Sequence, residues 1–469
     1  MMKNLIIGSW LSLVVLLSAC ANWVDVSPKE EVEADNLFKT EIGFKSALIG
    51  VYTRMTMDDT YGKAMSYGWI EELVQRYDNY DASVAPSNAK RAERYDYKQN
   101  TDAKDAVNSV WQGLFGTIAN INSLLTRLEN EGRDVVVTDG YWNLMKGEAL
   151  GLRAFHYFDL LRLFGPVYSE NPGMKCLPWR TVFDAERLPL VSAEEIAGHI
   201  VEDLKEAEKL LENDPMNYEI DRDDSFLGLR KHRMNKMAVK ALMARVYLWI
   251  GDKAQAATKA REVIDGCGME LVLSNVNDVA MYDETIFCLG MDDMEERVKS
   301  DWADLTVYSN ELYISANNAE TVFERSTVGV NDIRYRNGYG FIHGINGLMC
   351  RKYLGKDFKY YEKVPLIRLS EMYYILAESV VLDESVDYIN KVRNARGISR
   401  NYDISDGEGY DNASRVTVLE KEYQKDFFAE GQYFFFLKRH NRPTFWRCPV
   451  EKMVYYVLPT PDDEIAYGE

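Results

Sequence analysis

From Tyr141 to Pro166 the chain reads YWNLMKGEALGLRAFHYFDLLRLFGP, with apolar or small side chains on most sides of the helix this spacing predicts. The charged or strongly polar exceptions are Lys146, Glu148, Arg153, His156, Asp159 and Arg162. The last four recur every third position, so they trace a ribbon slanting around the helix. A helix with so little polar surface packs on several sides, which puts it at the centre of the fold. Gly165-Pro166 ends it, since Gly suits the position after a helix and Pro cannot continue one.

Weaker amphipathic patterns surround this segment. Lys39 to Met55 predicts a helix, with Phe44, Ala47, Leu48, Val51 and Tyr52 at spacings of three and four. A short helix is expected over Trp69 to Gln75, and a long one over Val107 to Leu128. Ser192 reads as an N-cap, with Glu194 and Glu195 in the first turn of a helix running to about Leu211. Asn217 to Arg233 reads as a charged loop. Lys236 to Gly266 is a helix pair turning at Gly251-Asp252, and its Tyr247, Gly251, Ala256 and Ala260 are spaced like those of a tetratricopeptide repeat. Such pairs are unstable alone and bury their faces by stacking. From Met269 to Lys363 the helical period fades and short strands are expected near Val272, Val276 and Thr285 to Cys288. Helices return over Val364 to Gly397 and Val416 to Gly431. The Gly-rich run from Asn337 to Gly347 does not fit GxGxxG and reads as turns.

The word order of the central helix carries a resemblance. Gly147-Glu148-Ala149, Leu152-Arg153-Ala154, Tyr157-Phe158-Asp159-Leu160 and Arg162-Leu163-Phe164-Gly165 resemble, without gaps, the signature helix of the SusD/RagB family of nutrient-capturing lipoproteins. Ala47-Leu48 with Gly50-Val51-Tyr52, Trp111 with Asn120 and Asn122, and Arg368-Leu369 with Glu371 and Tyr373-Tyr374 are similar to further family blocks. The closing block departs from the pattern. Tyr423 and Tyr433 stand where the family has Arg, and Phe436 where it has Asp. The resemblance implies a mainly α fold of stacked tetratricopeptide-like helix pairs, with an irregular loop-rich portion carrying short strands. It also implies a glycan ligand and a SusC-like TonB-dependent outer-membrane transporter as partner, with no catalytic residue and no cofactor. RagB-type relatives imply peptide as the alternative ligand.

The N-terminus adds an address. Lys3 precedes the apolar run Leu5 to Leu17, which is short for a membrane span, and Leu17-Ser18-Ala19-Cys20 resembles the lipobox of bacterial lipoproteins. Residues 1–19 are therefore expected to be a signal peptide, Cys20 the site of lipid (palmitate) attachment at the outer membrane, and 20–34 a tether. Residues 35–270 form an N-terminal helical region, and 271–469 a C-terminal region of loops and returning helices. A net charge of −19 argues against nucleic acid, which needs a basic footprint. Cys176, Cys267, Cys288, Cys350 and Cys448 are scattered and form no CxxC, so buried free thiols are expected rather than a zinc site or a disulfide framework.

No HExxH, GxSxG or P-loop is present. His156 reads as a hydrogen-bonded core residue. The acidic runs Asp221 to Asp224 and Asp403 to Gly407 give no complete EF-hand and read as solvated loops, so no metal is expected. Aromatic loops are the better clue, because a flat ring covers the C–H face of a sugar while Asn, Asp and Arg serve its hydroxyls. Candidates for glycan contact are Trp69, Tyr77, Asn79, Tyr80, Asp81, Tyr95 and Tyr97 in one sector and Trp302 and Tyr308 in another. A secreted glycoside hydrolase with an unrecognised carboxylate pair, and a pure helical scaffold, remain as readings of other classes.

Overall fold

Thirteen helices and three small sheets make up the computed structural model, which describes residues 36–78, 95, 97, 101–184, 186–216, 218, 224–275, 278–302, 312–336, 339–344, 347–354, 362–462 and 464. The expected signal peptide and tether lie outside these residues. The helices are α1 (Glu41–Met55), α2 (Trp69–Glu72), α3 (Thr101–Arg127), α4 (Tyr141–Phe164), α5 (Ala193–Leu210), α6 (Lys236–Trp249), α7 (Lys253–Gly266), α8 (Met294–Trp302), α9 (Ala316–Val322), α10 (Leu369–Ser379), α11 (Leu382–Ala395), α12 (Asn412–Asp426) and α13 (Gln432–Arg439). A π-helical turn and a short helical turn follow α3. The strands are β1 (Lys175–Pro178), β2 (Leu190–Ser192), β3 (Thr285–Gly290), β4 (Phe341–His343), β5 (Leu348–Cys350) and β6 (Lys363–Arg368). They pair antiparallel as β1–β2, β3–β6 and β4–β5.

The central helix is α4, buried at every position except Asn143 and Lys146. It lies against α3 and α5; α6 pairs with α7, α7 meets α10, and α10 pairs with α11. The architecture is thus a mainly α stack of helix pairs. The third pair is separated from the second by the loop-rich excursion that carries the β3–β6 and β4–β5 sheets. Strand β6 closes that excursion by returning beside β3 and running straight into α10.

Local chemistry sets the boundaries. Ser192 and Glu195 form a reciprocal capping box at α5. Asn235 and Asp252 accept from the backbone at the starts of α6 and α7, and Gly251 turns between them at φ +87°. In α4, Gly147 and Gly151 let neighbours approach: a Cβ would lie 2.7 Å from Leu211 Cγ and 2.6 Å from Met234 Cγ, respectively.

The polar ribbon of α4 is a set of ties. Arg153 grips Asp203 of α5 at 2.7 Å through two nitrogens. Asp159 accepts from Tyr61 Oη at 2.7 Å and from Arg162, and Arg162 also donates to Gln432 of α13 at 3.1 Å. His156 is fully buried with Nδ1 2.7 Å from Leu152 O, and burial pushes its pKa down to about 4, so it is a neutral core residue. A second buried network joins Glu284, Arg396, Asp426 and Arg368, where Arg396 Nη2–Glu284 is 2.6 Å and Arg396 Nε–Asp426 is 2.9 Å. It holds the ends of β6, α11 and α12 together.

Four sequence expectations change. Residues 363–368 form β6 rather than the start of a helix, because the segment pairs antiparallel with β3, and α10 begins only at Leu369. The last strong helix starts earlier and ends earlier than its apolar pattern, since Asp411 caps it by accepting from Ser414 N and the chain leaves at Phe427. The Gly-rich run read as turns contains strand β4, and the charged loop ends in a short helical turn with Arg230, Lys231 and Arg233 buried. The thiols of Cys176, Cys267, Cys288 and Cys350 are free and buried, and Cys448 is free and half-buried.

Candidate functional site

Helix α1 ends in a tightly bonded turn. Thr60 Oγ1 donates to Met55 O at 2.9 Å, and Arg54 holds Asp59 in a two-pronged pair with both contacts at 2.6 Å. On the outside of this turn, Arg297 of α8 donates from Nη1 to Thr56 O and to Asp58 Oδ1, each at 2.9 Å, and from Nε to Asp293 at 2.7 Å. The helix that ends in Trp302 is therefore fastened to the turn that follows α1.

A cavity opens on either side of that turn, and Met57 borders both. The first, about 530 Å³, lies among Tyr52 and Thr53 of α1, His232 and Arg233 of the buried turn before α6, and Met291 and Arg297. The second, about 520 Å³, lies between Asp58, Asp59 and Lys63 of the turn, Trp69 of α2, and Ser109 and Val110 of α3. Alkyl and thioether patches alternate with hydroxyls, carboxylates and cations in both walls. Burial, with Lys363 and Lys231 adding positive charge, lowers the His232 pKa to about 4, so its imidazole is neutral near pH 7. Asp58, Asp59 and Asp293 are each paired with an arginine. Such walls suit a neutral, polyhydroxylated or amide-bearing ligand better than a strongly charged one. Among the described residues, no group of three or more His, Cys, Asp or Glu side chains could hold a metal ion.

The predicted aromatic residues divide. Trp69 is 5% exposed and borders the second cavity, with its Nε1 buried and unpartnered among the described residues. Tyr77 is buried and donates to Tyr67 O at 2.6 Å, while Tyr95 donates to Leu73 O at 2.6 Å and stacks on Tyr455 at 5.1 Å. Tyr97 is also buried. The structure thus places these four rings in the core rather than as open platforms, two of them satisfying backbone carbonyls around α2. Trp302 ends α8, but its side chain lies outside the described residues, as do Asn79, Tyr80, Asp81, Tyr308 and Cys20.

Sequence reasoning missed Asp78. Its N–H donates to Tyr313 O at 2.7 Å, and its carboxylate accepts from Asn318 Nδ2 at 2.6 Å and from Ser315 N, and pairs with Arg447 at 2.6 Å. Asp78 thus ties the chain just after Tyr77 to Tyr313, to the start of α9 and to Arg447. Its only sequence signal is its place at the edge of the polar, aromatic stretch.

Residues 22–248 match a family model described as "Starch-binding associating with outer membrane", and residues 274–465 match the model of the SusD family. SusD-like protein P2 of Formosa agariphila is 23% identical over 263 residues, which is 55% of this chain and 45% of that protein. SusD-like protein P38 of the same organism is 24% identical over 268 residues, 56% of this chain and 46% of that protein. The matched stretch thus spans about half the length of these curated relatives. Among solved structures, a SusD superfamily protein from Bacteroides thetaiotaomicron superposes with a TM-score of 0.72 at 21% identity, covering 92% of this chain and 98% of that one. A putative sugar-binding protein from Bacteroides vulgatus gives 0.65 at 21% identity, covering 85% and 87%. These superpositions establish the fold.

Proposed function

The chain belongs to the SusD/RagB family, and from that premise we propose that it captures oligosaccharides at the outer membrane and delivers them to a SusC-like TonB-dependent transporter. A lipid on Cys20 anchors it, and it turns over no substrate of its own. The observation that carries this reading is the Arg297 clamp, which fastens the helix ending in Trp302 to the turn bordering the Trp69 cavity. Cavities with alternating polar and apolar walls on either side of the clamped turn, one of them bordered by Trp69, suit the apolar and hydroxyl-bearing faces of a sugar chain. The names of the relatives, a sugar-binding protein among them, point the same way.

The test is calorimetric titration of the chain starting after Cys20 against panels of glycans and peptides. Saturable binding to a glycan, lost on Trp302→Ala and without product, supports capture. Binding confined to peptides replaces the glycan with the RagB-like ligand class, and release of product moves the protein to the hydrolases. Anchoring is checked separately by metabolic labelling with a palmitate analogue, which Cys20→Ala should abolish.

A further inference from the structure

The cavity among α1, the buried turn before α6 and Met291 has an apolar rim. Ile49 on α1, Met57 in the turn after it and Leu229 before α6 border it and are 46%, 40% and 38% exposed. Single exposed apolar side chains are ordinary on a protein surface, but three around one opening form a patch suited to a ligand's apolar atoms. Leu229 is also held at φ +50°, in the left-handed region where a Cβ crowds the following carbonyl and Gly or Asn is the usual occupant. Full burial of its side chain does not offset that strain, and strain of this kind clusters at ligand-contacting positions.

The polar groups of the wall narrow the ligand. Glu148 binds Arg233 and Tyr52, and Arg297 holds Asp58 and Asp293, so both arginines are neutralised. Ser225 Oγ, His232 Nδ1 and the Asp292 carboxylate line the cavity with no hydrogen-bond partner among the described residues. Gly290 keeps the space beside the imidazole open, since a Cβ there would lie 2.9 Å from His232 Nδ1. A free carboxylate beside neutralised cations favours an uncharged ligand over an anion. Among the described residues Tyr52 is the one phenyl-type ring in the wall, and it is buried. The cavity therefore lacks the open flat ring that covers the C–H face of a sugar. Branched and thioether carbon beside free neutral donors and acceptors instead matches a short alkyl group joined to a carbonyl.

On the premise of the capture reading, we propose that this cavity selects glycans bearing acyl substituents. Ile49, Met57 and Leu229 receive the acyl carbon, and Ser225, His232 and Asp292 serve the carbonyl and the N–H or hydroxyl groups next to it. N-acyl and O-acyl groups share this chemistry. Met57 also borders the Trp69 cavity, so the acyl site lies one side chain away from it.

The chain starting after Cys20 is titrated calorimetrically with two matched pairs. Chitin and cellulose oligosaccharides of equal length exchange acetamido for hydroxyl, and O-acetylated xylan oligosaccharides are compared before and after alkaline deacetylation. The acylated member of at least one pair should bind about tenfold more tightly, the scale of a small alkyl group filling an apolar pocket. The pair that responds distinguishes an N-acyl from an O-acyl ligand. Leu229→Asn, whose side chain tolerates the left-handed backbone, and Ile49→Gln on the exposed face of α1 should each at least halve that preference with little change in melting temperature. Equal affinity within both pairs, or a full preference in both variants, overturns the inference and leaves the capture reading standing. Binding of none of the four oligosaccharides overturns the inference and counts against glycan capture as well.

Discussion

Glu148 and Arg230 stand 82 positions apart in the chain and meet at 2.6 Å with neither side chain exposed. The same carboxylate accepts from Tyr52 Oη at 2.6 Å and Arg233 Nε at 2.7 Å, and Arg230 also reaches Asp214 at 2.7 Å. Burial alone would raise the Glu148 pKa, but Arg230 and Arg233 bring it below its usual value, so it stays charged. Glu148→Gln keeps the shape and removes the charge, leaving two buried guanidiniums with Asp214 as their remaining carboxylate. The expected loss is about 3–5 kcal/mol, against about 1 kcal/mol for Tyr52→Phe, which removes one hydrogen bond. Urea unfolding of both variants checks the ratio; equal costs would show that the charge is not what matters there.

Two kinds of helical glycine should respond to alanine with opposite signs. Alanine gains about 1 kcal/mol over glycine within a helix when space allows. Gly198 on α5 has open space where a Cβ would stand, with no neighbour within 4 Å, so Gly198→Ala should stabilise by up to that amount. At Gly147 and Gly151 the new carbon would press on Leu211 and Met234 at 2.7 and 2.6 Å. Overpacking costs about 1–3 kcal/mol and outweighs the helical gain. Thermal melts of the three variants should move up for Gly198→Ala and down for the other two.

That contrast also marks what the sequence could disclose. The position of α4, the cap at Ser192 and the pair around Gly251 were legible because each rests on local periodicity or local backbone chemistry. Strand β6 was not, since Val364 to Ile367 look the same whether they open a buried helix or face β3. Nor were the partners of Glu148 or the role of Asp78, because their pairings join segments far apart in the chain. The same holds for the candidate site. Aromatic-rich stretches were visible, but composition cannot separate a ring that packs in the core, as Tyr77 and Tyr95 do, from one that faces a ligand.

Asp278 should make stability depend on pH. It is 1% exposed; burial raises its pKa to about 6, against backbone hydrogen bonds from Asp283 and Tyr282, with Asp283 and Glu284 adding repulsion. Between about pH 4 and 6 the folded protein therefore holds a proton at this site that the unfolded chain has lost. Stability through this group falls as pH rises across that window and is lowest above it, by on the order of 3 kcal/mol. His156 and His232, with pKa values of about 4, act in the opposite direction below about pH 6.5 because the unfolded chain takes up their protons first. Asp278→Asn isolates the aspartate, because the histidines cancel in the comparison. The variant should melt higher than the unaltered chain at pH 7, with the gap closing towards pH 4. A gap that is constant with pH would mean that Asp278 titrates normally.

Arg297 should separate ligand binding from stability. It is partly exposed, and its bonds to Thr56 O, Asp58 and Asp293 hold α8 rather than the core. Surface ion pairs of this kind contribute about 0–1 kcal/mol to folding. Arg297→Met keeps much of the aliphatic stem but releases α8 from the turn after α1, so the melting temperature should move little. Under the capture reading, α8 and the turn between the two cavities would no longer be held in one arrangement before the ligand arrives. The ordering cost then falls on binding, and glycan affinity should drop about tenfold, equivalent to about 1.4 kcal/mol. Asp58→Asn, which weakens one arm of the same clamp, should fall between the two. Calorimetry and thermal melts on the three proteins decide it: an unchanged affinity in Arg297→Met would place the ligand away from this turn, whereas a parallel loss of affinity and stability would make Arg297 a folding residue.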